Sequence, residues 1–325
     1  MAVKTASLAA LAFEAVRTTE DAAIAAARLC GRGDEKAADQ AAVDAMRRAL
    51  NGIEMKGRVV IGEGERDEAP MLYVGEEVGT GRGPRVDIAL DPLEGTTICA
   101  TGRSDALSVL AFSEEGGLLN APDVYMDKIA VGDGLPEGVI DLDDPPKRNL
   151  ANLAKAKGCE VSDLVALVLD RPRHQDLIAK LREAGARIKL IQDGDVAGVI
   201  ATTRLSRDID LYVGIGGAPE GVLAAAALRC IGGQMMGRLV FRNDDEKQRA
   251  RRLGIKDLTK KYGLHELAGG DLLFAATGVT DGWMLEGVRS TGRGPTTQSI
   301  LMAASTGSLR KITTAHGPAA TAASE

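Results

Sequence analysis

Residues 165–230 read VALVLDRPRHQDLIAKLREAGARIKLIQDGDVAGVIATTRLSRDIDLYVGIGGAPEGVLAAAALRC, in which short apolar or β-branched runs alternate with helical periodicity. VALVL (165–169) reads as a strand, and 174–184 as a helix with Leu177, Ile178 and Leu181 inward. IKLI (188–191) is a second strand and 195–202 a short helix; DLYVGI (210–215) is a third strand, leading into an Ala-rich helix over 219–230. Successive strand–helix units are the signature of a parallel sheet with right-handed crossovers. Ligands of such sheets bind beyond the carboxyl ends of the strands. Those ends carry RPRH (171–174), DGD (193–195) and GIGGAPEG (214–221), so topology gathers two arginines, two aspartates and a glycine-rich turn at one edge.

Upstream, residues 5–30 are Ala-rich with a helical pattern, the break GRGDEKAAD spans 31–39, and Val43, Met46 and Leu50 share one helix face that stops at Asn51–Gly52. RVVIG (58–62), RVDIAL (85–90) and ALSVLAF (106–112) read as strands, with GLL (117–119) returning antiparallel after a Glu-Glu-Gly-Gly turn. The first half is therefore expected as helices on a mixed sheet. Downstream, 242–262 reads as charged and helical, LLFAA (272–276) as a strand, and 315–325 as a disordered tail. The expected divisions are an N-terminal α+β half (1–150), a C-terminal α/β half (151–314) and the tail.

The chain has 325 residues, 40 Lys plus Arg against 46 Asp plus Glu, and a formal net charge of −6. With 45% hydrophobic and 26% charged residues it is an ordinary globular composition, able to bury a core. The acidic balance argues against a nucleic-acid partner. One Trp, four Tyr and four Phe make base-stacking platforms and membrane aromatic belts equally poor readings. The first dozen residues imitate a signal peptide, but Glu14 and Arg17 follow without a cleavage site, and no run approaches the ~18 apolar residues of a membrane span. Cys30, Cys99, Cys159 and Cys230 lie far apart with no CxxC pair, which fits a reducing cytoplasm.

Carboxylates concentrate where strands end. GEGERDEAP (62–70) holds Glu63, Glu65, Asp67 and Glu68, DPLEGTT (91–97) holds Asp91 and Glu94, and the 31–39 break holds Asp34, Glu35 and Asp39. Acids crowded in one site repel unless a cation is present, and hard divalent cations such as Mg or Mn take oxygen donors together with phosphate. Three histidines, His174, His265 and His316, are too few for a His-rich zinc site. In GIGGAPEG the dinucleotide fingerprint G-x-G-x-x-G fails, because Pro219 stands where its third glycine is required. Pro219 instead opens a helix with Glu220 in its first turn. No P-loop occurs. Arg171 and Arg173, flanking Pro172, suit bidentate phosphate capture, or else cap the next helix as exposed charges.

Taken together, GRGDEKAAD, VVIGEGERDEAPML, DIALDPLEGT, LNAPDVYM, DRPRH, DGD and GIGGAPEG resemble class II fructose-1,6-bisphosphatases, in the same order and over nearly the whole chain. The DPLEGT piece alone marks only the wider superfamily of lithium-sensitive sugar and inositol phosphatases. The resemblance implies a layered α/β/α/β/α phosphatase fold and two Mn or Mg sites, with Asp39 and Glu63 at one and Asp91, Glu94 and Glu220 at the other. It further implies that Glu94, Gly95 and Thr96 contact the scissile phosphate. Tyr125, Arg171, Pro172, Arg173, Asp193, Gly194, Asp195 and Gly217 would line the sugar and distal phosphate. The catalytic set would be Thr96, Glu63 and Glu94. The family usually carries Lys directly after the Asp of its G-x-G-D loop, whereas here Glu35 stands there and Lys36 follows.

The implied reaction is loss of the 1-phosphate of fructose 1,6-bisphosphate in gluconeogenesis, or of sedoheptulose 1,7-bisphosphate in the Calvin cycle. A cytoplasmic homo-oligomer, dimer or tetramer, is expected, with a sugar bisphosphate as substrate and neither nucleic acid nor membrane as partner. Three competing readings are an inositol- or nucleotide-phosphate monoesterase, which should lack RPRH and DGD, a nicotinamide oxidoreductase, which the broken fingerprint opposes, and a non-catalytic sensor, which predicts a lost ligand among five that are all present.

Overall fold

The structure, a computed structural model, describes residues 8–64, 71–206 and 208–317. A 3-10 turn at Leu8–Leu11 leads into α1 (Ala12–Ala27). α2 (Glu35–Asn51) starts early because the Asp34 carboxylate accepts a hydrogen bond from Ala37 N at 3.0 Å, an N-cap worth about 1 kcal/mol. The break is thus shorter than expected, and Asp39 sits on the first turns of α2 rather than in a loop.

β1 (Lys56–Ile61), β2 (Glu77–Val78) and β3 (Arg85–Glu94) follow, then α3 (Thr96–Ala100) and β4 (Leu107–Ser113). The chain leaves this sheet after β4. GLL does not return along it: β4 pairs with β3 and with a distant strand, and Leu118 makes only an isolated bridge with Ala268. A second sheet opens with β5 (Tyr125–Val131), then α4 (Pro146–Lys157), β6 (Val165–Leu169), α5 (Gln175–Glu183), β7 (Arg187–Ile191), α6 (Asp195–Ile200), β8 (Leu211–Gly217) and α7 (Ala218–Ile231). It is completed by β9 (Gln234–Val240), α8 (Asp244–Arg252), β10 (Lys261–Gly263) and α9 (Leu264–Leu267). The 242–262 segment is therefore helical only through α8. Return to the first sheet is through β11 (Leu272–Gly278), β12 (Arg289–Thr291), β13 (Gly294–Ala303) and β14 (Ser308–Ala315). Ala315 ends a strand rather than opening the tail, and residues 318–325 lie outside the described residues.

The first sheet runs β12-β13-β11-β4-β3-β1-β2 with β14 on β13, and the second runs β10-β9-β5-β8-β6-β7. β6 is parallel to both β7 and β8, as expected, while β5 and β9 pair antiparallel. Residue 150 falls within α4, and the first sheet takes strands from both ends of the chain.

Three apolar cores stack these elements. Val16, Met46 and Leu50 of α1 and α2 pack against Ile88, Leu110 and Phe112 on the outer face of the first sheet. α7, whose Val222, Leu223 and Ala224 to Ala227 are buried, lies between Val109 and Phe274 of the first sheet and Met126 of the second. Its alanines let two sheets approach one helix closely. Leu150, Leu153, Ile178 and Leu181 of α4 and α5 cover the far face of the second sheet against Val168 and Leu211. The layers run helix, sheet, helix, sheet, helix.

Candidate metal centre and active site

β3 carries two acids three residues apart, and in a regular strand such residues face opposite sides. Here the register on β4 shifts between Asp91, opposite Val109, and Glu94, opposite Leu107, with Pro92 inside the irregular stretch. The Asp91 carboxylate accepts a hydrogen bond from Leu93 N at 3.0 Å and fixes the kink. Both side chains consequently reach one cavity of about 300 Å³. Gly95, at φ +87°, turns the chain left-handed into α3 so that Thr96 joins them. Asp39 from α2, Glu63 from the loop after β1, and Glu220 from the first turn of α7 complete the acidic wall. All five carboxylates expected as ligands line this cavity together with Gly95, Thr96 and Asp193. Asp123, which sequence reading passed over, lines it as well. Glu65, Asp67 and Glu68 lie outside the described residues.

The electrostatics are those of a site built for a cation. Carboxylate oxygens of Asp91, Glu94 and Glu220 lie within 4.8 Å of one another. Burial, then the neighbouring charges of Asp39, Glu220 and Asp123, pushes Glu63 up to about 8. Burial, followed by Glu63 and Glu220, holds Asp91 well above the carboxylate range, and burial with Asp91 and Glu220 does the same to Glu94. Asp39 is raised by burial alone. Glu220 is raised by burial too, against the opposing charge of Lys128. Glu94 Oε1 accepts Val196 N at 3.0 Å, but buried Glu220 Oε2 has no hydrogen-bond partner. An orphaned carboxylate oxygen among all-oxygen donors fits a hard divalent cation.

Lys128 is fully buried on β5, its Nζ bonded to Asp195 Oδ2 and, at 2.9 Å, to the Gly217 carbonyl. Sequence reading missed it, because a lone Lys in YMDKIAV gives no sign of burial. It explains much of GIGGAPEG. A Cβ on Gly216 would lie 1.8 Å from Asp195 Oδ2 and 2.9 Å from Lys128 Nζ, and one on Gly221 would lie 3.2 Å from Lys128 Cδ. On Gly217 it would lie 1.8 Å from Glu220 Oε2. These glycines make room for the ion pair and for the carboxylate of α7.

Beyond the acidic cavity lie the residues expected for sugar and distal phosphate. Tyr125 starts β5 with the Arg173 and Arg242 guanidinium groups over its ring at 4.8 and 5.1 Å. Arg242 was not anticipated; no spacing rule links it to Tyr125. Arg173 donates from Nε and Nη2 to the Ile215 carbonyl at 3.0 and 2.7 Å, and Arg171 donates to the Asp170 carbonyl at 3.3 Å. Pro172 opens the 3-10 turn between the two arginines. None of Tyr125, Arg171, Arg173 or Gly217 lines the acidic cavity itself, whereas Asp193 does, its carboxyl raised by burial. Gly194, at φ +95°, turns the chain into α6, on which Asp195 is the first residue. Buried His174 ties the arginine turn to β8, its Nδ1 bonded to the Leu169 carbonyl at 2.7 Å and its Nε2 accepting Ile215 N at 2.8 Å. Glu35 and Lys36 are exposed at the start of α2.

A family model described as bacterial fructose-1,6-bisphosphatase, glpX-encoded, matches residues 9–316. The D-fructose 1,6-bisphosphatase class 2/sedoheptulose 1,7-bisphosphatase of Synechococcus sp. (strain JA-3-3Ab) is 46% identical over 331 residues, covering 94% of this chain and 95% of that protein. The fructose-1,6-bisphosphatase 1 class 2 of Escherichia coli (strain K12) is 46% identical over 319 residues, with the same coverage. With the match running from α1 to the end of β14, this chain belongs to the glpX-encoded bacterial fructose-1,6-bisphosphatase family.

Proposed function

We propose that the protein hydrolyses the 1-phosphate of fructose 1,6-bisphosphate to fructose 6-phosphate and phosphate, with sedoheptulose 1,7-bisphosphate as a second substrate. One observation carries the reading: three buried or half-buried carboxylates within 4.8 Å, one with an orphaned oxygen, share a cavity with Thr96 while two arginines wait at the next strand end. The reading includes the lithium-sensitive phosphatase superfamily, a cytoplasmic location and a homo-oligomeric state, dimer or tetramer.

Asp39 and Glu63 would hold one Mn or Mg ion, and Asp91, Glu94 and Glu220 a second. Bound cations would supply a water of lowered pKa and neutralise charge on the phosphoryl and leaving oxygens. The chain does the rest. The Thr96 hydroxyl, beside Glu94 and Gly95 at the cavity wall, orients the scissile phosphoryl group or the attacking water. Arg171 and Arg173 grip the phosphate that is not cleaved, so that remote binding energy holds the ester in line. Asp193 and Asp195 accept hydrogen bonds from sugar hydroxyls, and Lys128 keeps Asp195 in place.

Phosphate release from both sugars with Mn, with Mg and with chelator tests this. Turnover with either metal and none with chelator is expected; no release from either sugar under any metal overturns it. Glu94→Gln should abolish turnover with the fold intact by circular dichroism, and an unchanged rate would remove Glu94 from the centre.

A further inference from the structure

The four cysteines are distant in sequence, yet Cys30 Sγ and Cys99 Sγ lie 2.9 Å apart, closer than two sulfurs rest in van der Waals contact. The backbone holds them there. Gly31 N donates to the Cys99 carbonyl at 2.9 Å and Gly33 N to the Ala100 carbonyl at 2.9 Å, so the connection after α1 is stitched to α3 directly beside the sulfur pair. Closing to the roughly 2.05 Å of a disulfide asks for less than an ångström of movement. Cys30 is half-exposed and Cys99 fully buried, an arrangement of one reachable thiol and one resolving thiol. Cys159 and Cys230 have no such neighbour among the described residues: Cys159 is half-buried beside the apolar core under α4, and Cys230 is buried on α7.

We propose that Cys30 and Cys99 are a thiol–disulfide modification site, a reversible bond that fastens the α1–α2 connection, and so the start of the helix bearing Asp39, to the helix that begins with Thr96. The oxidant is a disulfide of the R–S–S–R class. Cys30 Sγ attacks one of its sulfurs and releases the first R–SH; Cys99 Sγ then attacks Cys30 Sγ, forms the intramolecular bond and releases the second R–SH. Two cysteine thiols are oxidised and one external disulfide is reduced to two thiols, the two protons passing to the leaving thiolates. The Cys99 hydrogen bond lowers the Cys30 thiol below its ordinary value, which favours Cys30 as the attacker. Because the sulfurs already touch, the oxidised chain keeps its site geometry, and the bond acts as a clamp rather than an off switch.

The folded full-length protein is equilibrated with oxidised glutathione. Thiol titration should fall from four to two, intact mass should drop by about 2 Da, the mass of the two hydrogens taken up by the external disulfide, and peptide mapping under non-reducing conditions should join Cys30 to Cys99. Dithiothreitol should reverse all three changes. Cys30→Ser should prevent the loss, Cys99→Ser should stop at a mixed disulfide of glutathione on Cys30, and Cys159→Ser should still form the bond. Retention of four thiols by folded protein, or mapping to Cys159 or Cys230, overturns the proposal. None of these readouts needs turnover, so they stand apart from the assay of the phosphatase reading.

Discussion

Gly217→Ala isolates the geometry of the metal centre from the stability of the fold. Gly217 has φ −66° and ψ 144°, values that alanine adopts without strain, so the backbone has no reason to move. The new Cβ would stand 1.8 Å from Glu220 Oε2 and 2.6 Å from its Cδ. Ordinary contact begins near 3.4 Å, so the carboxylate must retreat by roughly 1.6 Å. A side-chain tip can make that move at an off-rotamer cost of order 0.5–1.5 kcal/mol, which the fold survives. A metal ligand cannot, because coordination distances tolerate about 0.2 Å. Displacement of one of three oxygens should weaken divalent-ion binding by at least the ~10–100-fold typical of disturbed ligand support, about 1.4–2.7 kcal/mol. Calorimetric titration of Mn into chelator-stripped protein reads this directly, with a metal-free thermal melt as the control for folding. Turnover should fall in parallel and recover in part at high Mn. An alanine variant that folds, binds Mn as tightly as the parent and turns over at the same rate would refute both the ligand role of Glu220 and the steric reason for the glycine.

Lys128→Met should cost 3–5 kcal/mol of stability, roughly, by leaving Asp195 buried and unpaired; denaturant titration checks it, and Lys128→Met with Asp195→Asn should regain most of the loss while KM for the sugar stays high. Metal-free protein should lose stability as pH rises from the ordinary Glu range near 4.5 through about 8, because Glu63 in the fold binds a proton that the unfolded chain has released. Divalent cation should reverse that slope, and thermal melts across the pH range with and without Mn give the sign of each. His174→Ala should unpair the Leu169 carbonyl and Ile215 N, at roughly 1–3 kcal/mol each, and raise KM more than it lowers kcat, since the arginine turn it ties down sits away from the carboxylates. Steady-state kinetics with a stability measurement separates the two effects.

What the sequence revealed and what it hid divide along physical lines. β6 and β8 were legible because interior strands read as near-continuous apolar runs bounded by turn residues, and β7, an exposed edge strand, because its isoleucines and leucine fall between two helical patterns. Glu63, Asp91, Glu94 and Glu220 were legible as acids at strand ends or a helix start, where side chains meet at a sheet edge, whereas Asp39 was marked only by the family resemblance. β5, β9, β13 and β14 were not anticipated, since YMDKIAV, QMMGRLV and the Thr- and Ser-containing C-terminal strands mix polar and apolar residues without clear alternation. Asp39 was placed in a loop because a G-x-G-D run looks like a break, while the Asp34 cap turns it into a helix start. Lys128 and Arg242 could not be read at all, because their partners, Asp195 and Tyr125, come from remote parts of the chain.

The burial of α7 between two sheets has a mechanical meaning for the centre it serves. Asp91 and Glu94 belong to an interior strand of the first sheet, and Glu220 is anchored in a helix walled by strands of both sheets, so these three oxygens form a fixed jaw. Asp39, Glu63 and Asp193 stand on a helix's first turns or on connecting loops and form the opposing jaw. On the proposed function, adjustment to cations of different radius, or to sugars of six and seven carbons, would fall to the elements of that second side, and substitutions that retune preference belong there rather than on α7 or β3.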